Sequence, residues 1–206
     1  MTDQVRLVLA SASEARLRTL RNAGLDPEVI VSGVDEDVEP ANGVRALAAR
    51  LAERKAQAVS SRIDHRSGTT VVIGCDSLLE LEGMAYGKPA TPAEAARRWQ
   101  LMRGRFGLLH TGHHVILHEA SAITTRTAVA STLVHFAELT DEELEAYVAT
   151  AEPLHVAGGF TIDGLGGAFV AGIEGDHHNV VGISLPLLRT MLNELGISWP
   201  SLWRVT

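Results

Sequence analysis

The sequence predicts an α/β fold, because short apolar strands alternate along it with amphipathic helices instead of gathering into an all-strand or all-helix block. Val5 to Ala10 (VRLVLA) reads as a strand that turns through Ser11, Ala12 and Ser13 into a helix. Val71, Val72 and Ile73 form a β-branched run that reads as a buried strand, stopping at Gly74 and Cys75. Asp76 would then stand at a strand's C-terminal end, where open α/β sheets place their ligand crevices.

A chain of 206 residues suffices for one domain with a full core, or for two lobes sharing a sheet. No period-scale repeat or linker divides it, so residues 1–206 are read as a single domain. With 46% hydrophobic and 21% charged residues, the composition excludes disorder and fibre as global descriptions. No apolar stretch approaches a membrane span, and Met1, Thr2, Asp3 and Gln4 lack the basic-then-apolar order of a secretion signal. A cytoplasmic protein is expected. Cys75 is the only cysteine, which rules out an intrachain disulfide and suits a reducing compartment; at a buried strand end it reads as a small hydrophobe, not a nucleophile. The net charge of −7 argues against binding a nucleic-acid polymer, whose affinity comes mostly from phosphate neutralisation. A small anionic ligand remains open, since a few cations in one cleft suffice for it.

The first helix carries Leu17 and Leu20 three apart, starts at the N-cap Ser13 and ends at Gly24. Its N-terminus, with serine hydroxyls and Arg16 in the first turn, is a ready anion site; the ordinary alternative is simple capping with Arg16 in solvent. Glu28 to Ser32 reads as a second strand, followed by an acidic loop, Val34-Asp35-Glu36-Asp37, able to offer hard oxygen ligands to a divalent cation. A helix from about Gly43 to Arg62 has its apolar stripe on Val44, Leu47, Leu51, Ala58 and Val59. Lys55 fills a gap in that stripe, where an ammonium is costly unless it finds a partner, reaches a cleft or snorkels to water.

After Asp76 and Ser77, a short strand from Leu78 to Leu81 reverses at Glu82 and Gly83 and returns the chain, bringing Lys88 back toward the carboxylate. Taken singly, Asp76 and Ser77 could merely open a turn and Lys88 could be a solvated cation. Thr91-Pro92-Ala93-Glu94 has the form of a capping box, opening a helix to about Arg103. Leu108 to Glu119 and Ile123 to Leu139 read as a long hairpin turning near Ala120 and Ser121. Strand geometry spreads His110, His114 and His118 along one face and turns His113 away, which argues against a zinc site. Thr140-Asp141-Glu142-Glu143 opens a further helix, and Ala157 to Asp176 is a glycine-dense stretch read as short strands with close backbone approaches. A last helix runs from about Ser184 to Leu195.

Three segments in this order resemble the Maf family of nucleoside triphosphate pyrophosphatases: LVLASASEARLRTL at Leu7 to Leu20, VIGCDSLLELEGMAYGKP at Val72 to Pro89, and EPLHVAGGFTIDGLGGAFVAGIEGDHHNVVGISLPLL at Glu152 to Leu188. The acidic loop and Leu51 to Ala56 fit between them. The resemblance implies an elongated α/β fold, a mixed twisted sheet flanked by helices, with two lobes around a central cleft. It implies hydrolysis of a nucleoside triphosphate, standard or modified, to the monophosphate and pyrophosphate, dependent on Mg²⁺ or Mn²⁺ and usually in a homodimer. The family's functional positions fall on Ser13, Arg16, Glu36, Lys55, Asp76, Ser77 and Lys88, the residues already singled out.

By this resemblance Glu36 and Asp76 hold the metal, Asp76 also orients or deprotonates the attacking water, and Arg16, Lys55 and Lys88 grip the triphosphate. Two departures bear on activity. The family usually has proline and arginine where this chain has Glu14 and Ala15, which removes a cation and adds an anion beside the site. Asp163 stands where the subgroup acting on thymidine and uridine triphosphates commonly has glutamine, and a subgroup acting on 7-methylguanosine triphosphate carries an acid nearby. A carboxylate only accepts hydrogen bonds, so Asp163 suits a base edge offering donors, and base preference stays open. The rival reading is a nucleotide-binding regulator with little or no turnover.

Overall fold

The computed structural model describes residues 5–35, 42–64, 68–120 and 122–204. Its centre is a mixed sheet of seven strands in the order β2-β1-β3-β5-β6-β7, with β4 also paired to β3. The strands are β1 (Arg6–Leu9), β2 (Glu28–Val29), β3 (Thr70–Leu81), β4 (Met84–Tyr86), β5 (Phe106–Glu119), β6 (Ala122–Phe136) and β7 (Val170–Glu174). The helices are α1 (Glu14–Asn22), α2 (Val44–Ser60), α3 (Pro92–Met102), α4 (Asp141–Ala149), α5 (His177–Val181) and α6 (Leu185–Glu194). β1 pairs in parallel with β2 and β3, whereas the β3-β5-β6-β7 ladders are antiparallel.

β3 is one continuous strand, which corrects the expectation that it stops near Gly74 and that Asp76 lies at its end. The glycine is not a terminator. A methyl group on Gly74 would run into the carbonyl oxygen of Ala52, and one on Gly112 of β5 into that of Ala48. Both glycines are therefore a seat that lets α2 lie directly on the sheet. The face of α2 laid there is small: Ala48, Ala52 and Ala56 are fully buried.

Apolar cores lie toward both ends of β3 and β5. One gathers Leu9, Leu20, Ile73, Cys75, Ile183 and Met191 beneath α1 and α6. The other gathers Leu79, Trp99, Met102, Phe136, Tyr147 and Phe160 beneath α3 and α4, where Trp99 meets Phe136 and Tyr147 edge to face at 5.7 and 5.4 Å. The two-lobed α/β expectation holds in this form.

Three further expectations change. The second strand shrinks to Glu28–Val29, both exposed at the sheet edge. The glycine-dense stretch forms 3-10 turns at Ala157–Gly159 and Leu165–Phe169 and a single strand, β7, instead of several strands. These turns are held by Glu152, whose carboxylate accepts from Tyr147 Oη, Thr161 Oγ1, Leu165 N and Gly166 N at 2.6–3.0 Å. Those donors hold the Glu152 carboxyl below the usual range, although burial opposes them. The close approach is real at Gly158, where φ is +76° and a methyl group in place of the hydrogen would stand 2.9 Å from Leu79 Cβ, leaving room only for glycine. Finally, the short helix α5 adds an element that periodicity does not indicate.

Candidate active site

On one edge of β3, β1 covers Thr70 to Ile73 and β4 covers Leu79 to Leu81. Among the described residues no strand covers 74–78 between them, and a cleft of about 540 Å³ opens there. It lies just past the C-terminal end of β1, so the general rule for parallel strands applies, with β1 in the place that sequence reasoning assigns to β3. Because β3 runs on through the gap, Asp76 on one face and Ser77 on the other both line the cleft.

Asp76 faces α2. Lys55 Nζ donates to Asp76 Oδ1 at 2.5 Å, with the two side chains 9% and 8% exposed. The gap in the helix stripe is therefore filled by an ammonium whose partner is the carboxylate, which explains a lysine on an otherwise apolar line.

Ser13 caps α1 as expected, its Oγ accepting from the Arg16 amide. Arg16 is buried, and its guanidinium donates to Gly182 O at 2.7 Å, Ser11 Oγ at 2.9 Å and Ser77 Oγ at 3.0 Å. The simple-capping alternative, with Arg16 in solvent, is thereby displaced. Ser77 Oγ lies 2.9 Å from Thr111 Oγ1, which donates to Asn179 O. The Thr111 proton is thus committed to Asn179, so Ser77 donates to Thr111 and accepts from Arg16. A directed relay, Arg16 to Ser77 to Thr111 to Asn179, ties α1, β3, β5 and α5 together across the cleft floor.

Lys88 and Asp163 also line the cleft. Lys88 is exposed, past the end of β4. Asp163 Oδ2 accepts from Arg18 at 2.5 Å, so one of its oxygens is already engaged. Glu14 is a wall residue too, placing an anion at the N-terminus of α1. Glu36 lies outside the described residues, though Val34, two residues before it, lines the cleft.

Neighbouring groups without a chemical part are equally well placed. Cys75 points away from Asp76 into the core, and burial pushes its thiol up to about 12, which keeps it protonated. His113 Nε2 accepts from the Ser184 amide at 2.9 Å, leaving Nδ1 to donate to Thr111 O at 3.0 Å. Burial pushes His113 down to about 4, so it is a neutral clasp between β5 and α6. His110, His114 and His118 take separate partners, Glu80 with Ser131, Thr127, and Ser60. Gly182, Thr111 and Asn179 complete the Arg16 network, and sequence reasoning misses them; the Asn179-Val180-Val181-Gly182 run before the last helix is the signal that could have found them.

A family model described as "Maf-like protein" matches residues 6–195. The chain belongs to the Maf family. Curated relatives of this Maf chain include proteins named "Nucleoside triphosphate pyrophosphatase" from Streptomyces avermitilis, 55% identical over 98% of both chains, and from Salinispora tropica, 54% identical over 97% of this chain and 88% of that one. One of the same name from Mycobacterium ulcerans is 48% identical over 96% of both. The solved structure of the Staphylococcus aureus Ham1 protein overlaps 65% of the Maf chain and 72% of its own at 15% identity and a TM-score of 0.38, too slight a likeness to bear on function.

Proposed function

We propose that this Maf chain is a nucleoside triphosphate pyrophosphatase. The observation that carries the reading is the buried Lys55–Asp76 pair opening on a cleft that Ser13, Arg16, Ser77 and Lys88 also line. The relatives' shared name agrees with it.

The donor set fits a hard divalent cation such as Mg²⁺ or Mn²⁺: a carboxylate and serine hydroxyls face the cleft, while the thiol beside them is turned into the core. Asp76 would hold the ion together with Glu36. When bound, such an ion offsets phosphate charge and lowers the pKa of water.

Asp76 orients the attacking water and takes up its proton, with its own carboxylate aimed by Lys55. The water oxygen bonds to the α-phosphorus while the bond from that phosphorus to the bridging oxygen breaks. Pyrophosphate leaves and the nucleoside monophosphate remains. Arg16 has three of its five N–H groups engaged by protein oxygens, so it acts as a positive charge held in a fixed position, whereas Lys88 reaches the phosphates from the rim. Asp163 meets the base with the accepting capacity that Arg18 leaves to it. The reading extends to a single domain over 1–206 acting on free nucleotides in the cytoplasm as a homodimer, the dimer resting on family resemblance alone; among the described residues no helix is long and apolar enough to cross a membrane.

The test is pyrophosphate release from standard and modified nucleoside triphosphates with Mg²⁺ or Mn²⁺, for the wild type and Asp76→Asn. Turnover by the wild type and its loss in a folded Asp76→Asn protein are expected. Undiminished activity in the variant removes Asp76 from the mechanism. Tight nucleotide binding without product would favour the regulator, the reading that Glu14 in the cleft wall supports, and release of orthophosphate would mark a phosphatase.

A further inference from the structure

We propose that Asp176, His177 and His178 form a separate metal site for a borderline divalent ion such as Zn²⁺ or Co²⁺. Each side chain brings a ligand atom to within 4.8 Å of the other two, and the imidazole centroids of His177 and His178 are 3.8 Å apart. Two imidazoles and a carboxylate favour an ion of this class over Mg²⁺, which prefers an all-oxygen shell.

The second observation is the state of the carboxylate. Asp176 Oδ1 accepts from the His178 amide at 3.0 Å and stands 3.1 Å from His178 Nδ1. Asp176 Oδ2 is buried and has no hydrogen-bond partner. A buried carboxylate oxygen without a donor is costly, and a cation facing it removes that cost.

The backbone beneath is anchored. Thr132 Oγ1 donates to Asp176 O at 2.9 Å, and the buried Asn179 amide donates to Leu109 O and Thr132 Oγ1 at 3.1 and 3.0 Å. Such support holds ligands in place before the ion arrives. Open coordination positions would face a cavity of about 430 Å³ lined by His177, His178, Arg18 and Asn22, which shares Asp163 and Val181 with the main cleft.

The experiment titrates Co²⁺ into the full chain under excess Mg²⁺, following visible d–d absorption and bound metal per chain, then displaces it with Zn²⁺. Wild type and Asp76→Asn should each bind one Co²⁺, and the His177→Gln/His178→Gln variant should bind at least ~10-fold more weakly with unchanged circular dichroism. Equal binding by the double histidine variant, or binding lost in Asp76→Asn and kept in the histidine variant, overturns the proposal. So does a wild type that takes up no Co²⁺ or Zn²⁺.

Discussion

Removing one member of the Lys55–Asp76 pair should cost far more than removing both. The pair is 2.5 Å apart with side chains 9% and 8% exposed, so the two charges compensate each other where little water reaches. Breaking a buried pair from one side typically costs about 3–5 kcal/mol, and the lower part of that range applies here because water enters from the cleft. Lys55→Met takes the ammonium from beside a buried carboxylate, and Asp76→Asn takes the carboxylate from beside a buried ammonium. The double variant removes both charges together and keeps the volume of both side chains, so its cost should fall to about 1–2 kcal/mol. The cycle then yields a coupling energy of at least ~2 kcal/mol. Urea unfolding followed by circular dichroism measures all four corners, provided the m-values agree. Additive costs, within about 0.5 kcal/mol, would show that the pair is not coupled in solution and would end Lys55's part in aiming the carboxylate.

Gly112→Ala should lift α2 from the sheet, because the new methyl meets the Ala48 carbonyl oxygen. The expected cost is about 1–3 kcal/mol in stability, with turnover falling on the order of 10²-fold as Lys55 shifts by ~1 Å. Gly172→Ala, which meets nothing within 4 Å, is the control; thermal melts and pyrophosphate release that do not separate the two variants would refute the seat. Stability should fall as pH drops from 6.5 toward 4, because the unfolded chain protonates His113 in that window while the folded chain, pushed down to about 4, does not. The loss reaches about 3 kcal/mol at pH 4 and should be smaller by that amount in His113→Gln; equal pH slopes in urea titrations would refute the clasp.

Residues whose environment follows from local spacing are legible in the sequence. Ser13 sits where a strand-turn-helix needs a cap, and Lys55 interrupts an apolar stripe in a way that asks for a partner. Asp76 is expected in a cleft and does line one, though for a partly wrong reason: Gly74 looks like punctuation, but its role depends on Ala52 of α2, twenty-two residues earlier. The turns around Glu152 pass for strands because their organising acceptor draws donors from Tyr147 to Gly166, a pattern with no period. Arg16's fixation depends on Gly182, far along the chain, and a backbone carbonyl leaves no mark in the side-chain pattern.

β3 and β5 pass without interruption beneath both apolar cores, and their antiparallel ladder runs from Thr70 opposite His118 to Glu80 opposite Leu108, with Asp76 opposite Gly112 midway. Hinging one half of the molecule against the other at the cleft would have to bend that ladder beside Asp76. The cleft is therefore floored by one continuous ladder instead of a linker, so any closing motion that bent it would cost strand hydrogen bonds.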